Sequence, residues 1–290
     1  MPKFFTIRTF FLLTLIFVFL PQTVPGKTEN YSQNVKVRGQ VWKNKYKVSI
    51  DKVPHIKQRS SNCVPATVAM NLRYYDTTIG QNNLAKLFHT SKRGTNHSNM
   101  MQGFANKDLQ KFSIKRIYTT DQSENTAINK ELNKLLQNPD AVKDKNIRQS
   151  LKKLAKDKRL DHNTLLNKHY RLARWIFARG KVTLRKNFQE RFTGYLQAGL
   201  PLLWSVDMRL DPTYRDSSGH MRVIIGYFVK DNQITHIIYR DSWRGGSVGD
   251  TMTFDEAVAM TNAVFLITPR DLDPEKAPRV KLSGKAPADR

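Results

Sequence analysis

The sequence predicts an α+β fold, and three observations carry that prediction. A helix opens at Cys63, the only cysteine, and its apolar positions Val64, Val68, Leu72 and Tyr75 recur three and four apart. Two apolar strands, Met221–Val229 and Ile234–Arg240, flank the turn residues Lys230-Asp231-Asn232-Gln233, a hairpin signal. Between these regions, residues 124–191 carry leucines at helical spacing among many Lys and Arg.

Taken in order, residues 1–26 read as a secretory signal peptide. Lys3 and Arg8 form a basic start, and Phe10–Leu20 is an apolar run of eleven residues that Pro21 breaks. Val24-Pro25-Gly26 supplies small residues for cleavage, and the run is too short to span a bilayer. The mature chain is therefore expected to be secreted or periplasmic, without a transmembrane segment once the signal is removed. Residues 27–45 are polar and basic without periodicity, and read as a flexible leader. One domain is expected over 46–268. Tyr46–Ile56 alternates through Val48, Ile50 and Val53 as a strand does, and delivers the chain to Gln58.

Behind the Cys63 helix, short helices are expected at Gln81–Phe88 and Ser98–Lys107, and a strand at Phe112–Tyr118. In the basic insertion 124–191, three leucine clusters mark three amphipathic helices, the last stopped at Gly180. Phe188–Ala198 is helical and closes at Gly199-Leu200-Pro201. Leu202–Met208 is a continuous apolar strand. Asp211–Gly219 is a polar loop and Ser242–Gly249 a glycine-rich one. Thr253 and Glu256 form a capping box for the helix Asp255–Met260, and Val264–Thr268 closes as a strand. Residues 269–290 read as a disordered tail.

A formal charge of +25 implies anionic partners. It supports association and not a reaction. No phosphate-binding loop or nucleic-acid-binding motif accompanies it, so no specific nucleic acid is expected. The basic insertion reads either as a solvated face or as a grip for an anionic cell-surface polymer. No metal-ligand spacing is present and no cofactor is expected.

With one cysteine, an exported chain forms no internal disulfide, and the free thiol is either buried or working. Ser60, Ser61 and Asn62 are good N-cap residues, and Pro65 is tolerated only in a first turn. Cys63 thus stands where unpaired N–H groups and the helix dipole stabilise a thiolate. The Gln58 amide, five residues upstream, can point at the same place. Of seven histidines, His220 heads a strand after a Ser-Ser-Gly loop, the half-exposed setting of a base. His236 lies mid-strand between apolar residues. His162 and His169 fall in the basic helices, and His89 and His97 in a loop without an adjacent acid. If Val229 pairs with Ile234, His220 stands opposite Trp243, and Asp241 is its diagonal neighbour on the same face, within reach of the imidazole. His236 falls on the other face. A one-residue slip would separate the pair.

Gln58, Cys63-Val64-Pro65-Ala66, Gly219-His220 and Asp241-Ser242-Trp243 resemble the papain-like cysteine peptidases that process double-glycine leaders of bacteriocins, and more closely their stand-alone secreted relatives. The resemblance spans about 53–75 and 201–268, with the basic middle outside it. It implies a papain-like fold, a peptide substrate and a thioester acyl-enzyme. It assigns Cys63 as nucleophile, His220 as base, Asp241 as its orienter and Gln58 to the oxyanion hole. Val64 departs from the glycine usual after the cysteine, and the spacing from Gln58 is one residue short. The expected function is a secreted cysteine peptidase or amidase. The alternatives are an inactive papain-like scaffold that binds an anionic polymer, or an acyltransferase or cell-wall peptidase with the same triad.

Overall fold

The computed structural model describes residues 29–156, 162–213, 219–243 and 249–282. The expected signal peptide, residues 1–26, lies outside them. The chain opens with β1 (Val35–Gln40) and β2 (Lys45–Ile50), then α1 (Cys63–Tyr74), α2 (Gln81–Leu87) and α3 (His97–Gly103), then β3 (Phe112–Thr119). Five helices follow: α4 (Gln122–Gln137), α5 (Lys145–Leu154), α6 (His162–Lys168), α7 (Tyr170–Gly180) and α8 (Val182–Asn187). A π-turn at Phe188–Phe192 leads into α9 (Thr193–Gln197). The last part holds β4 (Leu202–Asp207), β5 (Gly219–Lys230), β6 (Gln233–Asp241), β7 (Asp250–Thr253), α10 (Phe254–Met260) and β8 (Thr261–Pro269).

Every strand pairing is antiparallel. One sheet runs β1-β2-β5-β4-β8-β3, and β5 also pairs with β6, which pairs with β7. The long β5 is the hub: its first half lies beside β4, its second half beside β2, and β6 runs along its other edge. α1 packs on β5 and β4 through Val64, Val68 and Leu72, all buried. Buried polar groups tie it down: the Thr67 hydroxyl donates to the Met221 carbonyl (3.0 Å) and the Asn71 amide to the Pro201 carbonyl (3.2 Å). The architecture is α+β, a cysteine helix on an antiparallel sheet.

The β5–β6 hairpin turns at Asp231 and Asn232, both with positive φ (52° and 62°), the turn geometry that matches strand twist. Val229 pairs with Ile234 as expected. The register then slips by one residue around Thr235 and slips back around Ile225, so that Arg222 pairs with Asp241. The two bulges cancel for pairing but not for faces. His220, Arg222 and Ile224 share one face of β5, while Phe228 and Lys230, beyond the Ile225 bulge, share the other.

Both ends of the chain differ from expectation. The stretch read as a flexible leader contains β1, registered on β2 from Val35↔Ile50 to Gln40↔Lys45. Its few buried apolar residues hide a signal that comes mainly from a partner strand. The tail read as disordered from 269 packs as far as 282: Leu272 and Ala277 are buried, and the Val280 N–H donates to the Gln197 carbonyl (3.0 Å). In the insertion, the third expected helix is broken at His169 into α6 and α7. β7 begins directly after the expected loop Ser242–Gly249, in residues for which no strand was expected. The capping box at Thr253 and Glu256 is present.

Candidate active site

The first turn of α1 presents Cys63. Asn62 is its N-cap residue but makes no side-chain cap, so the first N–H groups of the helix stay open. The backbone N–H groups of Cys63, Val64 and Met221 face the sulfur. Met221 directly follows His220 on β5, so the thiol stands beside the head of that strand. Cys63 is half-buried. Burial pushes its thiol above the ordinary value, against those three N–H groups, and the Asp241 carboxylate pushes the same way. The helix start therefore does not leave a stabilised thiolate at rest, contrary to the expectation from its position alone.

His220 is 3% exposed. Its Nε2 lies 2.8 Å from Asp241 Oδ1. Asp241 is held well below the carboxylate range: burial raises it, but the His220 hydrogen bond and charge, the Arg222 charge and the Trp243 N–H outweigh burial. A carboxylate only accepts, so Nε2 carries the proton and Nδ1 presents its lone pair. Nδ1 is buried and has no hydrogen-bond partner. The Trp243 ring stacks on the imidazole, centroids 4.2 Å apart and planes 22° apart, and is itself 36% exposed. It roofs the His220–Asp241 pair.

Asp241 is fully coordinated. Oδ1 also accepts from the Trp243 N–H (2.8 Å), and Oδ2 accepts from Arg222 Nε (2.7 Å). Arg222, 1% exposed, reaches on to Asp211 Oδ2 through Nη2 (2.7 Å) and lies over the Tyr239 ring at 4.7 Å. Sequence reasoning missed Arg222 and Asp211. The available signal was Arg222 itself, a charge two residues from His220 within an otherwise apolar strand.

Gln58 is bound to the same strand end. Its N–H donates to the Ser242 carbonyl (3.0 Å), and its Oε1 accepts from the Ser242 hydroxyl (2.8 Å). One Nε2 hydrogen goes to the Ser60 carbonyl (2.9 Å), leaving the other for a ligand. His55, which carries no sequence mark of a base, donates from Nε2 to the Asp241 carbonyl (3.0 Å). Thus residues 55–58, just before the cysteine, and residues 241–242 are stitched together by three hydrogen bonds. His97 sits elsewhere, on Ser205 (2.9 Å), and His236 lies on the other face of β6, beside Phe228. Among the described residues, no cluster of His, Cys, Asp and Glu is arranged to hold a metal, and no helix is long and apolar enough to cross a membrane.

Residues 50–157 match the Peptidase_C39 like family. The match includes Gln58 and Cys63, reaches into the basic insertion, and ends before His220 and Asp241. A solved structure described as a C39-like peptidase from Bacillus anthracis is 15% identical, with a TM-score of 0.40 over 77% of this chain and 98% of the other. No curated protein is significantly similar. Within residues 50–157 the chain is thus similar to that family, and this segment holds the cysteine helix α1.

Proposed function

We propose that the chain is an exported cysteine peptidase or amidase working through Cys63, His220 and Asp241. The observation that carries this reading is His220. Asp241 holds its Nε2 at 2.8 Å, and its buried Nδ1 has no partner beside a strand whose next N–H faces the Cys63 sulfur.

His220 Nδ1 takes the thiol proton as the sulfur attacks the carbonyl carbon of a peptide. Because burial keeps the resting thiol protonated, this transfer belongs to the attack rather than preceding it. The oxyanion is held by the Cys63 N–H and the remaining Gln58 Nε2 hydrogen. The imidazolium, balanced by Asp241, then protonates the leaving amine, whose C–N bond breaks to give a thioester. Water, deprotonated by His220, attacks the thioester carbonyl, and the acid leaves as the sulfur regains its proton. Asp241 fixes the tautomer throughout. Transfer of the acyl group to an amine in place of water needs the same residues.

The raised thiol favours a second reading, an unreactive scaffold that binds an anionic polymer. Both are tested by incubating the protein with a mixed peptide library and counting new amino termini by mass spectrometry. New termini are expected for the wild type and none for Cys63→Ala. Equal cleavage by the variant would end the peptidase proposal, and no cleavage by either would leave the scaffold reading.

A further inference from the structure

The strongest feature outside the catalytic cluster is a groove of about 560 Å³ across the solvent face of β1, β2, β5 and β6. Its lining includes Arg38, Lys45, Lys47 and Lys230 and no acidic residue. Arg38 stands directly opposite Lys47, and Lys45 directly opposite Lys230. Like charges directly across a sheet repel, so the free protein carries an electrostatic load here. Among the described residues none of the four cations forms an ion pair; the nearby Asp51 is taken by Lys36. Phe228, half-buried, lies between Lys47 and His236 in one cross-strand row. Lys47 Nζ is 5.4 Å from its ring centroid, and His236 meets it edge to face at 5.9 Å.

We infer that this groove binds single-stranded nucleic acid without sequence preference. A membrane surface is flat and does not enter a concave site. Polyphosphate and acidic peptides satisfy the cations but offer no planar group to the Phe228 ring. A single strand offers both: phosphates for two rows of cations about 7 Å apart along the strands, and bases that stack on an aromatic ring set in a sheet. The surface reads the polymer's chemistry and not a sequence, since no Asn, Gln, Asp or Glu lines it to pair with base edges. The groove lies on the opposite face of β5 from His220, so the inference is independent of the peptidase reading.

The test measures anisotropy of a labelled 12-mer oligothymidylate against the full chain over a salt series, with inorganic polyphosphate and polyglutamate as competitors. Binding that weakens with salt is expected. Phe228→Leu, which keeps apolar volume but removes the ring, is expected to lose about tenfold for the oligonucleotide and nothing for polyphosphate. Lys45→Gln with Lys230→Gln should flatten the log–log salt slope by about 0.7 for each phosphate that is no longer neutralised. Lys152→Gln with Lys153→Gln on α5, an equal change in net charge, should leave binding unchanged. Absence of oligonucleotide binding, indifference to Phe228→Leu, competition that tracks polymer charge alone, or equal loss in the α5 variant would each overturn the inference.

Discussion

Arg222→Met is the substitution on which the description of the site depends most. It removes the donor to Asp241 Oδ2 and the donor to Asp211 Oδ2 together, both at 2.7 Å, and leaves two carboxylates that are 3% and 1% exposed. A charge-assisted hydrogen bond contributes about 1.5–3 kcal/mol. Breaking a buried pair by removing one partner costs about 3–5 kcal/mol, because the remaining charge is stranded. The variant should therefore lose about 3–5 kcal/mol in urea unfolding at pH 7. Asp241 is held below its unfolded value, so its contribution to stability is present above that value, about pH 4, and is lost as pH falls through the folded one. Without the guanidinium the depression shrinks, and the gap between wild type and variant should narrow below about pH 4. Adding Asp211→Asn removes one of the two carboxylates that the guanidinium holds, so the double variant should lose less than the sum of the singles. A loss under about 1 kcal/mol at pH 7, or one that ignores Asp211→Asn, would refute the picture of Arg222 as the anchor of Asp241.

Three further outcomes are expected. Alkylation of Cys63 by iodoacetamide should have its pH midpoint above that of an ordinary thiol, because burial raises the group; a midpoint near neutrality would contradict this. Trp243→Ala removes the ring stacked on His220 and should lower stability by about 0.5–1.5 kcal/mol and reduce turnover, read from melting curves and peptide cleavage. Lys181 is buried, donates to the Ala259 and Thr261 carbonyls, and burial pulls it down to about 8. The folded state sheds this proton before the unfolded state does, so its contribution to stability should grow as pH rises above about 8. Wild type should gain on the order of 2 kcal/mol relative to Lys181→Met between about pH 8 and 9.5.

What could be read in the sequence is what local chemistry decides. The Cys63 helix follows from apolar spacing and Pro65 in its first turn, and the hairpin from Asp231 and Asn232, which tolerate positive φ. The closeness of His220 and Asp241 followed from Val229 opposite Ile234, although two bulges intervened that the alternation did not show. They cancelled, and a single one would have undone the register argument. What could not be read depends on distant partners. β1 exists because β2 receives it, and the tail because α9 does. Arg222 looks like a misfit in an apolar strand until Asp211 and Asp241 are brought to it from two other segments. The thiol's resting state also escaped, because helix position argues one way and burial, a property of the whole fold, argues the other.

The bulge at Ile225 gives β5 two phases. A strand that alternates without interruption would put Phe228 on the same side as His220, eight residues before it. One extra residue offsets the count, so the strand shows its imidazole to the cysteine helix's cleft and its phenyl ring to the solvent on the reverse. A peptide at Cys63 and a polymer along Arg38 and Lys230 would then occupy opposite sides of one ribbon and need not exclude each other. Deleting Ile225 would merge the two phases, and the chain would have to give up either the pairing of Arg222 with Asp241 or the row that joins Lys47, Phe228 and His236.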